Sequence, residues 1–246
     1  MDPVTIWALP SETLTLANGE IHIWRVPLDH PPVPLGVLSA YLSAEESVRA
    51  ERYVFLHDKN HFITGRGMLR VILGRYLGIH PSRLSIEKGP HEKPCVSASS
   101  AKPPLHFNLS HSHGLALYAF TLKGQVGIDL EKLRPEFATQ EVAEQFFSPK
   151  EQEELSRLPP ESRVQGFFNC WTRKEAYVKA TGKGLQVSLD SFDVSLTPGY
   201  PPTLRAANSG RLTLFSFCPA QGYTAAAAVE GKGWNIQFYD WMTILG

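Results

Sequence analysis

Apolar and polar residues alternate through Ile21-His22-Ile23-Trp24-Arg25-Val26, a period of two that predicts a strand ended by Pro27. A proline-rich loop with Pro31, Pro32 and Pro34 follows. The period then changes. Ser43-Ala44-Glu45-Glu46 has the form of a capping box, a serine with a glutamate three residues on. Helical spacing continues over residues 62–77 and stops at Gly78. Met68, Leu69, Ile72 and Leu73 make one apolar face, so the arginines between Arg66 and Arg75 belong to an amphipathic core helix rather than to a nucleic-acid surface. Leu84-Ser85-Ile86 predicts a short strand. Phe107-Asn108-Leu109 leads into an expected loop at Ser110-His111-Ser112-His113-Gly114. Residues 115–122, a turn at Lys123-Gly124 and residues 126–130 then read as a hairpin.

The second part of the chain repeats this course. Ser148-Pro149-Lys150-Glu151 is again a capping box, with proline at the favoured first helical position. A helix from about Gln165 ends at Gly182, and Phe192-Asp193-Val194 is a short strand. Residues 211–217, a loop with Gly222, residues 223–229, a glycine turn and residues 234–239 follow. Ser43 and Ser148, Gly78 and Gly182, Gly114 and Gly222, and Ile128 and Ile236 pair at a nearly constant spacing, 104 to 105 residues for the first two pairs and 108 for the last two. The expected fold class is therefore α+β, with two similar α+β halves packed as a pseudo-dimer, residues 1–125 and 126–246. In the same alignment Asp129 and Glu131 fall on Gln237 and Tyr239, so acidic ligands occur in one copy only. One asymmetric site between the halves is expected, because clefts between domains commonly hold ligands.

The 246 residues are 43% hydrophobic, enough to bury a sizeable core. The 24 basic residues balance the 24 acidic ones, which gives no whole-surface attraction to nucleic acid or anionic membrane. Cys95, Cys170 and Cys218 show no paired spacing and suit a reducing compartment; Cys170 reads as a packing residue. With no signal-peptide pattern at the N-terminus and no spanning apolar run, the expectation is a cytoplasmic protein.

The chemistry lies in two segments. In Gly127-Ile128-Asp129-Leu130-Glu131, strand alternation puts both carboxylates on one face while Ile128 and Leu130 face a core. In the helix containing Trp171, Glu175 and Lys179, the i,i+4 spacing places these three on one face, with Lys174 beside it. Magnesium takes a few carboxylates together with water and substrate phosphates. Asp129, Glu131 and Glu175 fit that description, with Lys174 and Lys179 as cations for phosphate oxygens. Each segment also has a plainer reading. Asp129 and Glu131 can be solvated charges at a strand end, and Glu175 and Lys179 an exposed helix pair worth a few tenths of a kcal/mol. His111 and His113, without a third nitrogen or sulfur ligand, are a weak zinc signal.

In order along the chain stand Lys93-Pro94, Phe107-Asn108-Leu109-Ser110-His111-Ser112, Gly127-Ile128-Asp129-Leu130-Glu131, Phe146-Phe147-Ser148 with Glu151, and Trp171 to Ala180 closing in Gly182-Lys183-Gly184-Leu185. With these the chain resembles the 4′-phosphopantetheinyl transferases of the larger, monomeric, surfactin-synthetase-activating type. The resemblance covers about residues 40–195. It implies a pseudo-dimeric fold and transfer of phosphopantetheine from coenzyme A to a serine of an apo acyl or peptidyl carrier protein, with release of adenosine 3′,5′-bisphosphate. It implies magnesium, or manganese, at Asp129, Glu131 and Glu175, and catalytic roles for Glu175 and Lys179. It places Lys174 and Lys179 on the coenzyme A phosphates, Ser110 and His111 at the 3′-phosphate end, Lys93 near the adenine and phosphates, and Arg49 and Arg52 near the 3′-phosphate. Glu151 matches an acid close to the site. Glu46, His61 and Glu92 depart from the family pattern. The segment of residues 133–147, with Phe137 and Val142, is a candidate carrier-docking surface. Two other readings are a non-catalytic coenzyme A or carrier-binding paralogue and a magnesium-dependent phosphohydrolase.

Overall fold

A computed structural model of the chain describes residues 4–11, 14–89, 93–97, 104–206 and 211–241. Glu92 lies outside them. In chain order the elements are β1 (Glu20–Pro27), α1 (Leu35–Ala40), α2 (Ala44–Glu51), α3 (Leu56–Leu77), β2 (Ile86–Lys88), β3 (Pro94–Val96), β4 (His106–Ser112), β5 (Leu115–Thr121) and β6 (Val126–Lys132). Then come α4 (Gln140–Phe146), α5 (Pro149–Arg157), α6 (Pro160–Thr181), β7 (Asp193–Val194), β8 (Leu204–Arg205), β9 (Leu212–Phe217), β10 (Tyr223–Glu230) and β11 (Asn235–Asp240). The architecture is mixed α and β.

Both capping boxes form. Ser43 caps α2 and Ser148 caps α5, each with its glutamate side chain returning to the serine N–H. The two long helices α3 and α6 are each 22 residues and end at a glycine in the left-handed region, Gly78 and Gly182, both at φ 65°. The α6 helix starts before the expected Gln165, because Pro160 supplies a pre-set φ at its first turn.

Two sheets carry these helices. The first has the order β11-β1-β5-β4 and the second β6-β10-β9. This corrects the hairpin expected from residues 115–130. The β5 strand pairs with β1 and β4, while β6 crosses to pair antiparallel with β10, setting Asp129 opposite Ala226. The chain's last strand crosses in the other sense: β11 runs parallel to β1, with Ile21 opposite Ile236 and Trp24 opposite Tyr239. The turns at Gly124 and at Gly231 and Gly233 are real, but each launches a strand into the other sheet.

Alternation along the strands builds three cores. Trp24, Phe107, Phe120 and Tyr118 face α3, with Met68, Leu69 and Ile72 against them. Ile21, Ile23, Leu117 and Ala119 face the other way, onto Ile128, Leu130, Ala225 and Ala227, so the two sheets pack face to face. Ala226 and Ala228 face α6 with Phe168, Ala176 and Ala180. Burying a large side chain of this kind contributes about 1.5–3 kcal/mol. The alanine run in β10 and Gly127 in β6 let α6 lie very close: a Cβ on Gly127 would come within 2.2 Å of the Ala176 carbonyl oxygen.

Candidate active site

The β4 and β6 strands belong to different sheets and meet edge to edge. No backbone ladder joins them. Side chains do it instead: Asn108 Oδ1 accepts from Ile128 N at 2.9 Å, Ser110 Oγ from Leu130 N at 3.3 Å, and Ser112 Oγ from Lys132 N at 3.1 Å. Three alternate residues of β4 thus satisfy three N–H groups of β6, two of them buried. The loop expected at Ser110-His111-Ser112 is therefore strand, and only His113 and Gly114 turn, His113 at φ 52°. Polar residues look like a loop in sequence; here they are inward-facing because the neighbouring strand needs acceptors.

The same hydroxyls orient the carboxylates. Ser110 Oγ donates to Asp129 Oδ1 at 3.0 Å, and Ser112 Oγ donates to Glu131 Oε2 at 2.8 Å. From α6, Lys179 Nζ reaches Asp129 Oδ1 at 2.6 Å and Ser110 Oγ at 3.2 Å. Glu175 stands one turn earlier on that face. Burial, then the nearby Asp129 charge, raises the Glu175 carboxyl above its usual range, and Lys179 opposes this. Burial also raises Glu131, helped by Asp129 and opposed by the Ser112 hydrogen bond, Arg134 and Lys179. Asp129 Oδ2 is buried with no hydrogen-bond partner. Asp129, with Glu131 and Glu175 both feeling its charge, offers carboxylate donors of the type a hard divalent cation takes.

Glu175 and Lys179 line a cleft of about 680 Å³, together with Lys93, Pro94, Asn108 and Trp171. Lys93 Nζ donates to Gln125 Oε1 at 3.0 Å, Val126 O at 2.8 Å and Lys179 O at 3.2 Å, tying β6 to the end of α6. Burial lowers its ammonium from the ordinary lysine range to about 8.

Two family models match the chain: the 4′-phosphopantetheinyl transferase superfamily over residues 125–229, and the 4′-phosphopantetheinyl transferase N-terminal region over residues 32–122. The 4′-phosphopantetheinyl transferase HetI of Nostoc sp. is 42% identical over 235 residues, which are 96% of this chain and 98% of that protein. The chain belongs to the 4′-phosphopantetheinyl transferase family. The 4′-phosphopantetheinyl transferase Sfp of Bacillus subtilis is 31% identical over 157 residues, covering 64% of this chain and 67% of that one. A crystal structure of a holo-(acyl-carrier-protein) synthase from Bacillus anthracis in complex with CoA (3′,5′-ADP) matches 44% of this chain and 96% of that chain, at 21% identity and a TM-score of 0.37.

In this phosphopantetheinyl transferase, Asp129 and Lys179 pair directly, and Glu131 and Glu175 both feel the charges of that pair. Ser110 joins them, with its hydroxyl engaged by Asp129, Lys179 and Leu130 N, so that it braces Asp129. His111 is on the opposite face of β4, with Phe107 and Leu109. Its outer edge is open to solvent, while the crowding of the rest, then Lys179 and His61, lowers its imidazole from the usual range. Arg49 and Arg52 are exposed at the end of α2, the Arg49 guanidinium 5.1 Å over the Phe62 ring. Among the described residues, neither pairs with a site carboxylate.

Lys174 is a correction. It is completely buried, and Nζ donates to Leu189 O and Phe192 O at 2.6 Å each and pairs with Glu151 Oε2 at 2.7 Å. A lysine bonded this way cannot reach a phosphate in the cleft. Glu151 is corrected with it: its oxygens also accept from Ser148 N and Val194 N, so it holds helix α5 to α6 and to β7 rather than serving the site. Glu46 does the same in the first part of the chain, capping Ser43 and pairing with Arg70 Nε at 2.7 Å. Phe137, proposed for docking, packs into Phe167, Phe168 and Trp171. Ser112 and Arg134, which approaches Glu131 at 3.9 Å, were missed. The signal for Ser112 was its i,i+2 spacing from Ser110, matching Asp129 and Glu131 across the strands.

Proposed function

We propose that the protein transfers the 4′-phosphopantetheine group of coenzyme A to a serine of an apo acyl or peptidyl carrier protein, with magnesium or manganese held by Asp129, Glu131 and Glu175. The observation that carries this reading is the buried, unpartnered Asp129 Oδ2, with Lys179 on its other oxygen and Glu131 and Glu175 near enough to feel its charge. When bound, the cation would supply charge neutralisation for the pyrophosphate.

The protein's own groups do the rest. Glu175 takes the proton from the carrier serine Oγ as that oxygen attacks the β-phosphorus. The bond from the β-phosphorus to the bridging oxygen breaks, and adenosine 3′,5′-bisphosphate leaves with its electron pair. Lys179, which lines the cleft, neutralises the leaving phosphate, an electrostatic role of the kind that dominates such transfers. Ser110 and Ser112 keep Asp129 and Glu131 pre-oriented. In this reading His111, Arg49 and Arg52 receive the 3′-phosphate, and Lys93 serves the nucleotide end.

The duplicated architecture belongs to the same proposal: halves 1–125 and 126–246, forming a pseudo-dimer that works as a monomer. Its support is the recurrence of a capping-box glutamate bound to a buried cation on the following long helix, Glu46 with Arg70 and Glu151 with Lys174. Arg70 also donates to Pro81 O and Leu84 O, as Lys174 does to Leu189 O and Phe192 O. Few cysteines, without paired spacing in the sequence, accord with a cytoplasmic location. No helix among the described residues is long and apolar enough to cross a membrane.

Mixing the protein with coenzyme A, magnesium and an apo carrier, and weighing the intact carrier, tests the proposal. A gain of one phosphopantetheine per carrier, lost on chelation and restored by magnesium, is the expected result. An unmodified carrier with coenzyme A merely bound, or coenzyme A hydrolysed by water, contradicts it.

A further inference from the structure

At the first turn of α3 a loop and a helix face bring together groups that the transfer reaction does not use. Strand β1 ends at Pro27, and Leu28 N donates to Gly114 O at 2.8 Å, which sets Asp29 over the turn between β4 and β5. Gly114 makes room for the carboxylate: a Cβ there would lie 2.0 Å from Asp29 Oδ2. With Oδ2 seated against that glycine, Oδ1 faces α3. His57 and His61 stand one turn apart on α3 and share a face, with ring centroids 3.9 Å apart. His61 Nε2 is 2.7 Å from Asp29 Oδ1, and His57 Nδ1 is 3.9 Å from the same oxygen. One ligand atom from each of the three residues lies within 4.8 Å of the other two.

We propose that Asp29, His57 and His61 bind a divalent cation of the zinc and cobalt class. Ligands about 2.0–2.2 Å from such an ion stand roughly 3.3–3.5 Å apart in a tetrahedral shell. The observed separations bracket that value, and two histidines at i,i+4 on a helix with one carboxylate from a loop are a donor set for it. Asp29 and His57 are exposed and His61 is partly so, which leaves a solvent path and an open coordination position. Imidazole nitrogens select this class over magnesium, so the site is chemically distinct from the all-carboxylate cluster at Asp129, Glu131 and Glu175. In the metal-free protein, His61 and Asp29 simply hydrogen-bond, and the cation replaces that shared proton. The site also neighbours His111, whose imidazole feels the charge of His61.

The test is cobalt binding and does not read transferase activity, so it stands or falls apart from the proposed reaction. The chelator-treated full-length protein is titrated with cobalt(II) in excess magnesium, and the visible absorption of the bound cobalt is followed. Wild type should bind cobalt saturably. His57→Ala and His61→Ala, both checked for an unchanged melting curve, should each weaken binding by roughly tenfold or more. Gly114→Ala, which displaces Asp29, should do the same, while Glu175→Gln should leave the titration as in wild type. No saturable binding, wild-type affinity in both histidine variants, or loss of binding in Glu175→Gln overturns the proposal.

Discussion

Lys174→Met separates two roles for a lysine that lies one residue from the acidic cluster's helix partner. The wild-type ammonium is fully buried, pairs with Glu151 Oε2 at 2.7 Å, satisfies two carbonyls at 2.6 Å each, and sits 4.4 Å from the Phe192 ring centroid. Methionine keeps much of the volume and removes the charge. Breaking a buried pair on one side costs about 3–5 kcal/mol. Glu151 keeps its bonds from Ser148 N and Val194 N, which places the expected loss near about 3 kcal/mol. In a chain of this size about 1 kcal/mol moves the melting temperature by about 2–4 °C, so a fall of about 6–12 °C is expected. Glu151→Gln added to Lys174→Met should recover part of that loss, because no buried charge is then left unpaired. The companion assay is KM for coenzyme A, measured well below both transitions, and it should remain close to wild type. A melting temperature unchanged within about a degree, with KM for coenzyme A raised about tenfold or more, would refute the structural role and restore Lys174 as a phosphate ligand.

Three further outcomes follow from the same geometry. Gly127→Ala pushes a methyl group into the α6 backbone at Ala176 and Ala180; thermal melts should show about 1–3 kcal/mol of destabilisation or more, and transfer should fall because Glu175 and Lys179 ride on the displaced helix. Ser112→Ala removes the hydroxyl that holds Glu131 and should raise the magnesium concentration for half-maximal transfer by roughly tenfold, while costing only about 1 kcal/mol of stability; an unchanged magnesium requirement contradicts it. Lys93 has a folded-state value near 8 against 10.5, so between those values the unfolded chain binds more protons and stability rises with pH. The wild type should therefore gain on Lys93→Met by up to about 1.4 kcal/mol per pH unit across that window, read from denaturant melts, and a flat difference would show that the ammonium is not desolvated.

Local chemistry was legible in the sequence and long-range pairing was not. The capping boxes at Ser43 and Ser148, the glycine stops at Gly78 and Gly182, and the convergence of Asp129 with Glu131 each depend on residues within a few positions of one another. The exchange of β6 and β11 between sheets does not. Gly124, Gly231 and Gly233 specify turns, and a turn alone does not say which strand the chain meets afterwards. The Ser110-His111-Ser112 run looked like a loop because its polarity was matched against solvent, whereas its actual partners are the N–H groups of β6. Lys174 and Lys179 are equally basic in sequence. Their fates differ because Lys174 is rotated by about 100° from Glu175 around the helix, toward the interior where the Glu151 carboxylate waits.

The central claim is that the Asp129, Glu131 and Glu175 cluster with Lys179 performs the transfer. Intact-mass analysis of an apo carrier, incubated with coenzyme A, magnesium and either wild type or Glu175→Gln, tests it most directly. Wild type should convert the carrier to the phosphopantetheinylated mass, and Glu175→Gln, with a wild-type melting curve, should leave nearly all of it unmodified. Conversion by Glu175→Gln at the wild-type rate would contradict the account.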